Sequence, residues 1–173
     1  DPLPLVTGAD GQPLPVNPLS DARVRRALSM AIDRKALTER IMEGMAVAAG
    51  QLTPEGFLGH DPAVGVPAAD AAGARRLLAE AGYPDGFGLT VSCSNDRYVN
   101  DARICQALGQ MLSRAGLKMT VDVTPSTVFF PRIRPERVLL PMHLVGRSFS
   151  SGDASYVLST SFHTRDVAGN LGG

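Results

Sequence analysis

Apolar residues recur at helical spacing over Val24, Ala27, Leu28 and Ala31, with Arg23, Arg25 and Arg26 on the other side. Ser20 is the predicted N-cap of this helix, and Asp21 falls in its first turn, where the helix dipole favours an anion. Asp33 is placed to cap a second helix, RKALTERIMEG, whose stripe is Leu37, Ile41 and Met42 and whose end is Gly44. Residues 47 to 68 are rich in Gly and Pro and have no period. QLTP reads there as a short strand and the rest as a surface excursion. Asp70 then caps AAGARRLLAEAG, with Ala74, Leu77, Leu78 and Ala81 on one face. Gly82 and Pro84 follow in the order that stops a helix.

The period changes at residue 89. LTVSC sets Leu89, Val91 and Cys93 against Thr90, Ser92 and Ser94, and KMTVDV sets Met119, Val121 and Val123 against Lys118, Thr120 and Asp122. Between them, residues 97 to 115 carry Val99, Ala102, Ile104, Leu108, Met111, Leu112 and Ala115 at helical spacing, closed by Gly116. Strand, long helix and strand make a right-handed βαβ crossover. A short helix around TVFFPRI and a basic loop, RPERV, lead to an apolar third strand, VLLPMHLV, with Pro141 marking a bulge or an edge. The chain then breaks into VGRSFSSGDASY, and ASYVLSTSF reads as a last helix with Asp153 at or near its N-cap. The predicted class is α/β, a mixed β-sheet with flanking helices.

Composition narrows the function. With 173 residues and 44% hydrophobic content, the chain has the size and the apolar content of one folded domain. Its formal net charge is zero, which argues against a general binder of nucleic acid or membrane surfaces. No apolar run approaches the roughly 18 residues of a membrane span. The first 19 residues lack the basic-then-apolar order of a signal peptide and read as an extended, Pro-rich lead-in. Cys93 and Cys105 give no zinc pattern and read as two buried thiols, with a single disulfide left open.

Candidate chemistry gathers at strand ends. GRSFS at 146 to 150 is a serine-hydrolase elbow without its last Gly, and only Asp153 and His163 follow as partners for Ser148. His60, His143 and His163 are scattered, the DARVRRAL arginines read as a solvated helix face, and there is no phosphate loop. Neither a metal site nor a cofactor is expected. SNDRYVND, at the end of one strand, matches the position of GRSFSSGD at the end of another. Ligands collect at the carboxyl ends of strands in open α/β sheets. Asn95, Asp96, Arg97, Ser148, Ser150 and Asp153 are therefore predicted to face one cleft, while Asn95 or Asp96 also starts the long helix.

Several segments in order resemble the extracytoplasmic solute-binding proteins of ABC importers, in the dipeptide- and oligopeptide-binding family. NPLSDARVRRALSMAIDRKAL is similar to that family's lobe-two opening, and AAGQLTPEGFLGHDP to its Pro-rich loop. DAAGARRLLAEAGYPDGFGLTV and LSRAGLKMTVDV complete a run over about residues 17 to 165. The resemblance implies the second lobe of a type II periplasmic-binding-protein fold. Residues 1–19 would be a lead-in from a preceding lobe of the same polypeptide and 20–173 a ligand-binding lobe, incomplete at its C-terminal end. It implies a receptor, not an enzyme, periplasmic or lipid-anchored, that hands a peptide-like solute to an ABC permease. A same-fold receptor for an opine, a sugar or a metal chelate is the alternative, and a small hydrolase using Ser148 the rival of another class. In the family a Gly-Trp pair follows the strand, and an Asp three positions past the Trp takes the ligand's α-amino group. Here Arg147 follows Gly146, Ser150 stands at the position of that Asp, and Asp153 aligns with a later acid. The implied contacts are Gly146, Arg147, Ser148, Ser150, Asp153, Asn95 and Arg97, with Arg147 suited to an acidic ligand.

Overall fold

A computed structural model describes residues 5–133, 140–149 and 151–163. They form two compact units, one from the described residues of 5–47 and 68–144 and another from those of 48–67 and 145–163.

The first unit is built on one central strand, β2 (Gly88–Ser94). It pairs antiparallel with β1 (Val6–Thr7) through Val6 and Leu89, and parallel with β3 (Lys118–Thr124) along its whole length. The short strand β4 (Met142–His143) pairs parallel with it at Val91 and Ser92. The mixed sheet is thus present, with the β2–α4–β3 crossover that the sequence pattern specifies. The alternation along β2 does not produce one wet face, because Thr90, Ser92 and Ser94 are buried together with Leu89, Val91 and Cys93. Strands pair on both of its sides, and α4 (Asp101–Arg114) and α5 (Ser126–Arg132) both pack on it. Among the described residues only β2 pairs with β3, and Val121 is 37% exposed.

The helices follow their caps. α1 (Ala22–Ala31) is capped by Asp21, whose carboxylate accepts from the Arg23 N–H at 2.8 Å. Ser20 is therefore not the N-cap; it ends a 3-10 turn over Pro18–Ser20, capped by Asn17, and its hydroxyl donates to the Asn17 carbonyl. α2 (Arg34–Ala36) starts at Asp33 as expected and widens into a π-turn over Leu37–Ile41. α3 (Ala71–Glu80) is capped by Asp70 through the Gly73 N–H at 2.7 Å, and Gly82, at φ +98°, stops it. Val24, Ala27, Ala31, Ala74, Leu78, Phe87, Leu89 and Leu112 make one buried cluster, where α1 and α3 meet β2 and α4. Burying a Leu or Phe there is worth about 2 kcal/mol each.

Three further expectations change. Cys93 and Cys105 are bonded to each other, not free thiols, and both are fully buried. The cross-link ties the end of β2 to the second turn of α4 over a separation of 12 residues. A loop of that order is worth about 3 kcal/mol through the entropy it removes from the unfolded chain. α4 begins at Asp101, not near residue 97, so Val99 lies outside the helix and is 62% exposed. Among the described residues the third strand is two residues long: His143 is exposed, and Pro141, which has no N–H to give a ladder, stands just before Met142. The basic loop at 134 to 138 lies outside the described residues.

The second unit is mostly irregular. QLTP forms no strand; among the described residues the bridge in this unit is an isolated parallel one between Leu58 and Asp153. Gln51 folds residues 48–67 on themselves, accepting from the Asp61 N–H and donating to the Asp61 carbonyl. α6 (Ser155–Ser161) closes the unit with Val157 buried. Among the described residues no helix is long and apolar enough to cross a membrane.

Candidate ligand-binding site

In the first unit the loop of residues 95 to 100 leaves the carboxyl end of β2. Its geometry is set by Asp101, which is 2% exposed. Asp101 Oδ2 accepts from Ser94 Oγ at 2.8 Å and from the Arg97 and Tyr98 N–H groups at 3.1 Å each, while Oδ1 accepts from its neighbour Ala102 N–H at 2.9 Å. Burial opposes the charge on this carboxyl. The Ser94 hydroxyl and the amides of Tyr98, Arg97 and Ala102 outweigh it and hold the group below the usual carboxylate range. A buried carboxylate with four donors is satisfied: Arg97 and Tyr98 fix two points of the loop, and Ser94 and Ala102 tie it to the end of β2 and the start of α4.

The loop is pinned at two more places. Asn100 takes a left-handed conformation, φ 56°, and its amide donates to the Ile41 carbonyl at 2.9 Å. Asp96 Oδ1 accepts from the Ser126 N–H at 2.8 Å, at the start of α5. Neither Asn95 nor Asp96 caps α4, contrary to expectation; the N-cap position is Asn100, without a side-chain bond to the helix. What remains for a ligand is Asn95 and Arg97, both exposed. The Arg97 guanidinium lies 5.2 Å from the centre of the Tyr98 ring, which orients it without neutralising it. Among the described residues Arg97 has no ion pair.

In the second unit Gly146, Arg147 and Ser148 are exposed. Among the described residues Ser148 makes no hydrogen bond and Arg147 no ion pair. The stretch is anchored just downstream. The Phe149 ring meets Phe57 edge to face at 6.0 Å, the Leu58 N–H donates to the Gly152 carbonyl, and the Ala154 N–H donates to the Leu58 carbonyl, both at 3.1 Å. Asp153 Oδ1 accepts from the Ser155 N–H at 2.8 Å and from the Ser155 hydroxyl. The bonds from Ser155, side chain first, hold its carboxyl below the usual range. That carboxylate orders the first turn of α6, although the N-cap position is Ala154. Ser150 lies outside the described residues.

The candidate residues thus divide between the units, Asn95 and Arg97 in the first, and Gly146, Arg147, Ser148 and Asp153 in the second. Asp101 is the organising residue that the sequence reading missed. Its signal was present in SNDRYVND, an Asp seven residues after a strand-end Ser, but an acid at a helix start reads first as a dipole contact. Among the described residues no group of three or more His, Cys, Asp or Glu could hold a metal ion. His60 instead pairs its Nδ1 with the Thr53 carbonyl at 2.9 Å.

Comparison with known proteins agrees with this architecture. The model of the bacterial extracellular solute-binding proteins, family 5 middle segment, matches residues 8–169. The glutathione-binding protein GsiB of Salmonella choleraesuis (strain SC-B67) is 30% identical over 152 residues, 86% of this chain and 29% of that protein. The solved structure of the binding protein AgaA from A. tumefacien R10, in complex with agropinic acid, superposes with a TM-score of 0.73 at 21% identity, over 90% of this chain and 32% of that one. HbpA2 from Haemophilus parasuis gives 0.72 at 25% identity, over 83% of this chain and 28% of that one. The chain therefore spans about a third or less of the length of these relatives. With the family model matched over nearly its whole length and the periplasmic-binding-protein fold in its sheet and helices, the chain belongs to the bacterial extracellular solute-binding proteins of family 5.

Proposed function

We propose that this chain is part of the substrate-binding component of an ABC importer, capturing a peptide-like solute outside the cytoplasm and delivering it to a membrane permease. The observation that carries the reading is the family match over residues 8–169. In this reading residues 1–19 lead in from a preceding lobe, residues 20–173 belong to the second lobe, and the receptor works in the periplasm or on a lipid anchor. Asn95, Arg97, Gly146, Arg147, Ser148, Ser150 and Asp153 line the ligand, and none of them is catalytic. Binding fits the loops better than hydrolysis does, because the Asp153 carboxylate is engaged by Ser155 and orders α6.

The glutathione-binding relative supports a peptide-like ligand, glutathione being a tripeptide. The agropinic acid complex favours a second reading, a non-peptide solute carrying a carboxylate. Exposed Arg147 and Arg97 suit an anionic group in either case, since a guanidinium meets a carboxylate with two parallel hydrogen bonds. Mass spectrometry of ligand copurifying with the full-length receptor tests the proposal. A peptide or modified amino acid supports the first reading and an opine the second. A receptor that binds no small solute in a screen of both classes overturns it.

A further inference from the structure

At the other end of α4 from residues 95 to 100, the first unit carries an arginine groove with no part in the function proposed above. Arg75 and Arg76 lie on α3, and Arg114 is in the last turn of α4. With Ala72, Ala79 and Pro84 among their neighbours, they line an open depression of about 550 Å³. No acidic residue lines it. Among the described residues the ion pairs use Arg23, Lys35, Arg103 and Arg132, so the three arginines of the groove keep their charge. The whole chain balances 17 basic against 17 acidic residues, and the groove departs from that balance locally.

The groove has a fixed edge. Arg75 Nη2 donates to the Arg114 carbonyl at 2.7 Å, joining α3 to the end of α4. That bond uses one of the five guanidinium donors, and the others remain. Arg76 and Arg114 make no side-chain hydrogen bond among the described residues. Asp70, at the start of α3, is committed to capping Gly73, and among the described residues neither Glu80 nor Asp85 forms an ion pair with the groove. The small alanine side chains leave the floor low between the arginines. A phosphate group, with three or more acceptor oxygens and one to two charges, engages several guanidinium forks at once, whereas a carboxylate is satisfied by one.

We propose that the groove between α3 and the end of α4 is a phosphate-binding site, separate from the loop of residues 95 to 100. The separation follows from topology. α4 runs antiparallel to β2 and β3, so Arg114 lies at the amino ends of the strands and residues 95 to 100 at the carboxyl ends. A helix of 14 residues puts about 20 Å between them. The phosphate comes either from a soluble phosphate compound or from the headgroup of an anionic lipid.

The test has two arms at low salt: calorimetric titration with inorganic phosphate, and cosedimentation with phosphatidylcholine vesicles with and without phosphatidylglycerol. Binding in the first arm assigns a soluble source, and binding only to the phosphatidylglycerol vesicles assigns a lipid. In either case Arg75→Ala/Arg76→Ala weakens binding about tenfold or more, the worth of one lost charge-assisted fork. Compared at about 0.15 M salt, where the Debye length is about 8 Å, Arg40→Ala/Arg103→Ala removes the same charge near the start of α4 and leaves binding within about twofold. No binding in either arm overturns the proposal. So does an equal loss in the two double variants, which would reduce the groove to net charge alone.

Discussion

The loops that follow β2 and β4 start alike, each leaving a parallel strand and each carrying an exposed arginine, but they are held by different means. Residues 95 to 100 are fixed from inside. A buried carboxylate collects four donors, a disulfide ties Cys93 to Cys105, and Asn100 and Asp96 reach to other elements. The stretch from Val145 to Asp153 is fixed from outside, by one ring contact and a two-residue bridge to Leu58, and its Gly146, Arg147 and Ser148 stay exposed. Order in the first loop is therefore paid by the core of its own unit. In the second it depends on another loop, residues 48–67. A residue that varies between receptors of different ligands is tolerated more easily in the second, because little packing depends on it.

That contrast is breakable by mutation. Asp101→Ala should have the largest effect, about 3 kcal/mol, because it leaves buried donors without an acceptor. In a chain of this size that is a fall of roughly 10 °C in Tm, read by calorimetry. A loss below about 1 kcal/mol would mean that the loop does not depend on the carboxylate. Replacing both Cys93 and Cys105 by alanine should cost a similar or slightly smaller amount, about 2 to 3 kcal/mol, and make Tm insensitive to reductant. An unchanged Tm would remove the cross-link from the account.

Acid sharpens the same point. The Asp101 carboxyl is held below its unfolded range, so its contribution is present at neutral pH and is lost as pH falls below about 4, through the folded value. Asp101→Asn should flatten the stability curve in that window, compared by urea unfolding at several pH values. A parallel curve would place the acid sensitivity elsewhere. Phe149→Ala should cost less, about 1 kcal/mol for the lost edge-to-face pair. It should speed amide hydrogen exchange at Leu58 and Ala154 while leaving Ala102 protected. Equal changes at all three would erase the distinction between the loops.

Much of this was legible in the sequence, and the exceptions have physical reasons. Asp33 and Asp70 followed as caps, and the long crossover helix followed from its period though not from its expected cap, because those signals are local. Ser20 lost the cap to Asp21 because Asn17 and Pro18 first wind a 3-10 turn. Val99 fell outside α4 because Asp101 holds the Arg97 and Tyr98 amides in a turn, a local side-chain-to-backbone arrangement that hydrophobic periodicity does not encode. The disulfide needed spatial proximity, which two isolated cysteines do not declare. Exposed Arg97 and Arg147 were visible as residues, whereas the buried group that positions Arg97 was not.

The central proposal is that the two exposed arginines serve a solute, Arg97 being held at its backbone by the buried network. Its most direct test is calorimetric titration of the full-length receptor with the solute that copurifies with it, comparing wild type with Arg97→Ala and Arg147→Ala. Each variant is predicted to keep Tm within about 1 °C, as surface substitutions do, and to lose about tenfold or more in affinity, the worth of a charge-assisted contact. Unchanged affinity in both variants would contradict the account.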